Sequence, residues 1–173
     1  MKGIKSKWVM GAIVLSLIAA IIVPSIAKGP TKRAGKSNIA HLYLHEKDPD
    51  TWEIVEDGAW GKMKYNLSGS ELDFVFNGHA LVPGEEYTLI YYPDPWPGNG
   101  LIELGSGIAC DEGNVHIAES VDTGDLPGGE DENDGAKIWL ILSSDCDGGQ
   151  MVGWNPTEYL FEYDLITFDD TDE

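Results

Sequence analysis

Positive charge is scarce in this chain, and the scarcity limits the partners that it can have. Eleven Lys and Arg residues stand against 30 Asp and Glu residues, and the only basic residue after Lys64 is Lys137. Nucleic-acid binding depends on basic side chains that neutralise phosphates, and anionic lipid surfaces attract the same side chains. We therefore expect no nucleic acid as a partner, which leaves cations, neutral molecules such as glycans, and other cell-surface proteins.

Long apolar runs are missing after residue 27, whereas the first 27 residues contain one. Three lysines precede the uncharged residues 8–23, Pro24 ends the run, and small residues follow up to Ala27. The run is about 16 residues long, and a membrane-spanning helix needs ~20. The pattern is typical of a secretory signal cleaved after Ala27. We predict a secreted or cell-surface protein with no stable membrane insertion after cleavage; an uncleaved signal would tether it by its N-terminus.

No helical periodicity is sustained after residue 37. Residues 28–37 are small, polar and basic, which is typical of a flexible leader. From residue 38 apolar residues alternate with polar ones, and Gly, Pro and Asn turns separate about eight such runs. The pattern predicts an all-β fold over residues 38–173, an antiparallel Greek-key β-sandwich of the immunoglobulin or fibronectin kind. Within it, the apolar run around Trp139 predicts a core strand, and Gly105 and Gly107 predict a bulge or a close strand approach.

Cysteine is nearly as scarce as positive charge. Cys110 and Cys146 each follow a strand-like run, and acidic residues flank both sulfurs. Acidic neighbours disfavour a thiolate, so catalytic thiols are not expected. In an exported chain two such cysteines predict a disulfide, which would close a loop of 37 residues.

The segment Leu81–Tyr87, with sequence LVPGEEY, resembles the tyrosine corner of fibronectin type III domains. In that device the tyrosine hydroxyl reaches back to the backbone near the turn. A wider resemblance, to an uncharacterised family of exported acidic β-sandwich proteins of archaea (methanogens in particular), rests on residues 58–63, 87–92, 105–107, 135–140 and 154–161. The resemblance implies a secreted sandwich and carries no assigned activity.

One loop, residues 91–100, combines aromatic residues with three prolines. Prolines stiffen the loop and would hold Trp96 away from the surface, where a rigid aromatic ring can stack on a sugar. The alternative is that Trp96 folds back to cap one end of the sandwich. The candidate ligand-binding residues of this loop are Trp96, Tyr91, Tyr92, Asp94 and Asn99.

Acidic loops are the candidate cation sites, because Ca2+ binds six to eight oxygen ligands and closely spaced carboxylates supply several. None of these loops fits the EF-hand pattern, and plain solvated loops are the alternative. The candidate calcium ligands are Glu130, Asp131, Glu132, Asp134, Asp145 and Asp147. Asn66 begins the sequence Asn-Leu-Ser and is a candidate N-glycosylation site.

These patterns predict an exported, non-catalytic sandwich that acts at the cell surface or in the extracellular matrix, in adhesion or in envelope or matrix assembly. The first alternative is a glycan-binding module that uses the loop at residues 91–100. A less favoured alternative is a hydrolase with paired carboxylates, for which the sequence identifies no catalytic residue. No cofactor is expected apart from calcium in the acidic loops.

Overall fold

A computed structural model describes residues 37–129 and 131–172 and shows an almost entirely β structure. The predicted signal, its cleavage after Ala27 and Glu130 lie outside the described residues. None of the described residues belongs to a helix with the length and apolar character needed to cross a membrane. The strands are β1 (Ile39–His45), β2 (Trp60–Asn66), β3 (Ser68–Gly69), β4 (Leu72–His79), β5 (Glu86–Tyr92), β6 (Ile102–Ile108), β7 (Val115–Val121), β8 (Lys137–Leu142), β9 (Cys146–Asp147), β10 (Gln150–Met151), β11 (Phe161–Glu162) and β12 (Asp169–Asp170).

Two antiparallel sheets carry the fold. The larger has the order β11-β1-β2-β4-β7 and the smaller the order β6-β5-β8. The chain crosses from the larger sheet to the smaller one after β4, returns after β6, and crosses again before β8. The predicted all-β sandwich is confirmed. Its main core lies between the two sheets, where alternate residues of each strand are buried, as in Leu72, Phe74 and Phe76 of β4.

The smaller sheet is buried on both faces. Six consecutive residues of β5, from Tyr87 to Tyr92, are buried, and so are four of β8. The chain after β8 folds back over the outer face and forms a second apolar cluster with it. That cluster contains Ile90, Tyr92, Leu101, Trp139, Ile141, Met151, Tyr159 and Phe161. The prediction that Trp139 is a core residue is therefore confirmed, and this second layer supports the candidate site described below.

The tyrosine corner forms as predicted. The hydroxyl oxygen of Tyr87 accepts a hydrogen bond from the backbone N–H of Val82 at 3.2 Å. Gly84 adopts a φ of +85°, a conformation that glycine tolerates better than other residues. The bond fixes the direction in which the chain enters β5 as it crosses between the sheets.

The prediction for Gly105 and Gly107 is also confirmed. The pairing of β5 with β6 shifts register between Leu89 and Ile90, opposite this part of β6. A Cβ at Gly105 would lie 2.8 Å from Ile117 Cγ2, and one at Gly107 would lie 2.9 Å from a methyl carbon of Val115. The two glycines therefore let β6 approach β7 closely, where the two sheets meet.

The predicted disulfide is wrong, because both cysteines are free. Cys146 lies beside Glu103, at the start of β6, whereas Cys110 comes after Ile108, the last residue of that strand. At ~3.3 Å per residue, the stretch from Glu103 to Ile108 alone spans about 16 Å. A disulfide requires Cα atoms within ~7 Å of each other, so the fold keeps the two sulfurs apart.

Candidate functional site

Three tryptophans with large exposed areas lie at the surface above the second apolar cluster. Trp52 is 47% exposed, Trp96 is 53% exposed and Trp154 is 44% exposed. They come from three separate loops, and we call them the tryptophan patch. Exposed aromatic side chains that lie together are typical of interaction sites, where tryptophan and tyrosine are enriched.

The rings of the patch are connected to one another. Trp96 and Trp154 meet edge to face, with their centroids 5.8 Å apart. Trp154 lies 6.1 Å from the ring of Phe161, and Trp52 lies 4.8 Å from the same ring. Trp96 and Trp154 therefore contact each other directly, and the buried Phe161 links Trp52 to Trp154.

A stacked aromatic pair supports this surface from below. The rings of Tyr92 and Trp139 are 4.0 Å apart and nearly parallel, at 12°. Trp139 in turn contacts Trp154 at 6.2 Å and Phe161 at 5.2 Å. Because these lower rings are buried and packed against the smaller sheet, the exposed indoles rest on a rigid base.

Backbone hydrogen bonds fix the loop that carries Trp96. The N–H of Gly98 donates to Pro95 O at 2.9 Å and closes a tight turn around Trp96. The N–H of Met151 donates to Pro97 O at 2.8 Å, which joins this loop to the segment that leads to Trp154. The prediction that prolines hold Trp96 out of the surface agrees with its exposure, and the alternative in which it caps the sandwich does not.

Asp145 fixes the loop that carries Trp154. Its carboxylate is buried and accepts hydrogen bonds from Tyr159 Oη at 2.5 Å and from Asn155 Nδ2 at 2.7 Å. Its backbone oxygen accepts a further bond from Val152 N at 2.8 Å. A side chain at Gly153 would collide with this carboxylate, so the loop packs closely on Asp145. Burial, and then the bond to Asp145, raise the pKa of Tyr159 well above its ordinary value.

Trp52 occupies an unusual backbone conformation. Asp48 Oδ1 accepts from the backbone N–H groups of Asp50 and Thr51, both at 2.9 Å, and this turn leads directly to Trp52. The φ of Trp52 is +63°, in the left-handed region that bulky residues rarely adopt. Such a conformation costs on the order of 1–3 kcal/mol. The ammonium of Lys47 lies 5.8 Å from the centre of the indole ring.

Polar and charged side chains border the patch. Asp94 forms a salt bridge with Lys137 and accepts a hydrogen bond from Asn133 Nδ2. Burial acts to raise the pKa of Asp94, but Lys137 and Asn133 outweigh it, and the pKa lies below its ordinary value. Beneath the patch, Trp139 Nε1 and Glu162 Oε2 are buried without a hydrogen bond of normal geometry. Burial raises the pKa of Glu162, against smaller opposing effects that include nearby lysines and the Trp139 indole.

The structure separates the predicted ligand-binding residues into two groups. Trp96, Asn99 and Asp94 lie at the surface, as predicted, although Asp94 is engaged by Lys137. Tyr91 and Tyr92 are buried, so the prediction that they face a ligand is wrong. The hydroxyl of Tyr91 donates to Asp131 at 2.7 Å, and the ring of Tyr92 lies under the patch. Both rings pack inside the domain because β5 is covered on its two faces, so neither is accessible to a ligand.

The candidate calcium ligands do not converge. Among residues 37–129 and 131–172, no three acidic, histidine or cysteine side chains are placed to hold one ion. Asp145 points inward to Tyr159, and Asp131 accepts from Tyr91 and Asn133. Asp147 is exposed at the end of β9, and Glu132 and Asp134 lie on the loop that follows Asp131. Calcium binding by these loops therefore stays a prediction without a ligand set.

The side chain of Asn66, the candidate glycosylation site, is engaged in the turn after β2. Its Nδ2 donates to Glu71 O at 2.9 Å and to Ser68 O at 3.3 Å, and its Oδ1 accepts from Asp73 N at 2.8 Å. The nitrogen that would carry a glycan already uses both hydrogens in the folded domain. Glycosylation at Asn66 stays a prediction, and it would require this turn to open.

Sequence reasoning missed Trp52 and Trp154 as site residues. Each lies in a turn-rich stretch between strands, and both are about as exposed as Trp96. A tryptophan in a polar loop with no apolar alternation around it is a signal that the sequence does contain. The sequence does not show that both side chains contact Phe161. Phe161 follows Trp154 closely in the chain but lies about 100 residues after Trp52, so only the fold brings Trp52 to it. 

A scan against protein-family models and searches of curated proteins and of solved structures find no match to this chain. The resemblance to an exported archaeal family therefore stays a prediction, and the function must be argued from the site itself.

Proposed function

We propose that this protein is an exported, non-catalytic module that binds neutral glycans through the tryptophan patch and acts at the cell surface or in the matrix. The observation that carries the proposal is the contact of two exposed indoles, Trp96 and Trp154, on a rigid aromatic base that also supports the exposed Trp52. Indole rings offer flat apolar area at small cost in side-chain entropy, which suits stacking against the C–H face of a sugar ring.

The charge around the patch supports a neutral ligand over an acidic one. Asp94 and Glu162 border or underlie the rings, and the whole chain carries a net charge of −19. Lys137, the nearest cation to Asp94, is already paired with it. A polyanion would meet net repulsion at this surface, whereas an uncharged sugar hydroxyl can use the same carboxylate and amide groups as hydrogen-bond partners.

The backbone of Trp52 gives independent support. A φ of +63° at Trp52 lowers the stability of the folded state. Because the side chain is nearly half exposed, its packing offsets little of that strain energy. Strain that is kept at an exposed aromatic residue is typical of ligand-binding sites. Export is supported by the N-terminal sequence, and a secreted module would meet the extracellular glycans that the patch fits.

The hydrolase alternative has two buried carboxyl groups near the patch, Glu162 and Asp145, and Asp145 is engaged by Tyr159 and Asn155. Glycosidases use a pair of carboxyl groups on either side of the scissile bond. No pair of carboxyl groups is assigned to such a reaction here, and the hydrolase alternative stays a prediction.

The test is affinity electrophoresis in gels that contain single neutral polysaccharides, together with a glycan array. The double variant Trp96→Ala/Trp154→Ala should bind about 10- to 30-fold more weakly than the parent, since each indole contributes roughly 1 kcal/mol of stacking. Trp60→Ala is the matched control, because Trp60 is 40% exposed but lies on the other sheet.

Each variant must first show the circular dichroism spectrum and thermal midpoint of a folded domain. The single variant Trp154→Phe should keep part of the affinity, because an aromatic ring remains at the same place. Absence of binding to every neutral glycan would overturn the proposed function. An equal loss in Trp60→Ala would overturn the assignment of the site.

A further inference from the structure

The outer face of the larger sheet has a composition unlike the rest of the domain. On β1, β2, β4 and β7 the outward residues alternate with buried ones, and register places them in cross-strand rows. One row is His41, Lys64, Val75 and Ala118; the next is Tyr43, Lys62, Asn77 and His116; the third is His45, Trp60 and His79. All four histidines of the chain therefore lie on this face, which we call the basic face.

Two lysines on this face have no acidic partner. Thirty acidic residues are present in the chain, yet within residues 37–129 and 131–172 neither Lys62 nor Lys64 forms an ion pair. Lys62 instead places its ammonium 5.3 Å from the ring centre of Tyr43. The acids Asp73 and Glu119 line the same pocket as Lys64 at one end of the face but form no ion pair with it.

Exposed aromatic rings stand between these cations. Trp60 is 40% exposed and contacts the His79 ring at 4.6 Å. Tyr43 is 43% exposed and stacks on His45, whose other side meets Tyr163 at 6.1 Å. Cations interleaved with exposed rings suit a ligand that has both anionic groups and flat apolar faces.

Asparagine side chains engage two of the four histidines. His79 Nδ1 shares a hydrogen bond with Asn114 Oδ1, and His116 Nδ1 shares one with Asn77 Oδ1, both at 2.8 Å. His41 has Lys64 as its cross-strand neighbour.

Burial, followed by Lys47, lowers the pKa of His45. Three acids, Glu71, Asp73 and Glu119, border one end of the face, and Ser120 donates hydrogen bonds to the first two. A fourth acid, Asp164, lies near Tyr65.

The dimensions of the face favour a linear polymer over a protein partner. Four strands about 4.8 Å apart and seven residues long at ~3.3 Å per residue cover a flat area on the order of 400 Å². A stable protein interface buries about 800 Å² on each partner, roughly twice as much. The same area accommodates a short stretch of an extended chain.

We propose that the basic face is a second binding site, which takes an acidic polysaccharide and holds it more tightly below neutral pH. Lys62 and Lys64 provide charge at every pH, and an imidazole side chain that takes up a proton below neutral pH adds to it. Tyr43 and Trp60 contact the sugar rings. Charges act over only ~8–10 Å at physiological salt, so the acids at the end of the face oppose an anionic ligand more than the net charge of the whole chain does.

The experiment measures binding of oligogalacturonate by calorimetry at pH about 7.5 and about 5.5, at constant moderate salt. Uronate carboxyls stay ionised over this range, so a change in affinity reports the protein. We expect binding about tenfold tighter at the lower pH, as several exposed charge pairs of modest strength add together. The fully methyl-esterified oligomer, which has the same sugar rings without the charge, should bind at least tenfold more weakly.

Variants separate the two kinds of cation. Lys62→Gln/Lys64→Gln should lower the affinity several-fold at both pH values and keep the ratio between them. His41→Gln/His116→Gln should reduce that ratio at least twofold and leave the affinity at pH about 7.5 unchanged. Trp154→Ala, in the tryptophan patch, is the control and should change neither value, so failure here and failure of the proposed function are distinguishable.

Three results would overturn the proposal. The first is equal binding of the charged oligomer and its methyl ester. The second is an affinity that does not change with pH, or changes equally in His41→Gln/His116→Gln. The third is tighter binding of a single-stranded oligonucleotide of equal charge, which would make the face a site for nucleic acid. Circular dichroism of each variant confirms that the exposed substitutions leave the fold intact.

Discussion

Removal of one hydroxyl group, in the variant Tyr159→Phe, tests how the tryptophan patch is held. Tyr159 is fully buried, and its hydroxyl donates to the carboxylate of Asp145 at 2.5 Å and accepts from Asn155 N at 3.0 Å. Loss of a hydrogen bond to a buried charged group costs about 1.5–3 kcal/mol, and the second bond is lost with it. We expect Tyr159→Phe to lower the free energy of unfolding by about 2–3 kcal/mol.

The assay is urea unfolding followed by tryptophan fluorescence at constant salt. A domain of this size should lose roughly 3–5 °C of thermal midpoint per kcal/mol, so a fall of about 6–15 °C is expected in a parallel thermal scan. Tyr163→Phe is the matched control, because Tyr163 is 63% exposed, and its free energy of unfolding should stay within about 0.5 kcal/mol of that of the parent. A loss below about 0.5 kcal/mol in Tyr159→Phe would refute the reasoning, and so would an equal loss in the control.

Three further outcomes follow from the structure. Tyr87→Phe removes the bond to Val82 N and should cost about 0.5–1.5 kcal/mol in urea unfolding; no loss would mean that the tyrosine corner is not a stabilising contact. Burial raises the pKa of Glu162 above 4.5, so the folded state holds this proton more tightly and stability is lost as the pH rises through the folded pKa. Glu162→Gln should therefore be more stable than the parent at pH about 7 but not at pH about 4, and a variant that is less stable at both would contradict this sign. Reducing agent should leave the thermal midpoint unchanged, and a midpoint that falls on reduction would show that the two cysteines do form a disulfide. A thiol reagent should modify the exposed Cys110 rapidly and Cys146 slowly, since burial, followed by Glu103, raises the pKa of Cys146 to about 11.

The parts of the fold that sequence predicted are those set by local patterns. Alternation with a period of two depends only on neighbouring residues and predicted the long strands of the larger sheet, whereas the continuous apolar run around Trp139 predicted β8. The tyrosine corner is equally local, because Tyr87 and Val82 are five residues apart and Gly84 permits the turn between them. The irregular pairing at Gly105 is also a local feature, because glycines within a strand-like run indicate a bulge or a close approach of strands.

The errors come from contacts that no local pattern contains. Tyr91 and Tyr92 belong to a run that looks half-exposed at its end, and only the chain after β8, which folds over the sheet, buries them both. The disulfide prediction rested on compartment and cysteine count, whereas the distance between Cys110 and Cys146 is set by opposite ends of β6.

The basic face shows a further limit of sequence reasoning. His41 and His45 are four residues apart on β1, about 13 Å at ~3.3 Å per residue, which is too far to share one ion. Their significance lies instead in the cross-strand neighbours Lys64 and Trp60, which register alone determines. A net charge averaged over the chain hides such a face, because the acids that dominate the average lie elsewhere.

The central claim, that the exposed indoles of the tryptophan patch bind a glycan, is tested most directly by nuclear magnetic resonance of the tryptophan side chains. Indole N–H resonances would be followed during titration with a neutral oligosaccharide selected on the array. The account predicts that the signals of Trp96 and Trp154 shift and saturate together, with Trp52 following, while that of Trp60 stays in place. Movement of Trp60 alone, or no movement of any indole at saturating oligosaccharide, would contradict it.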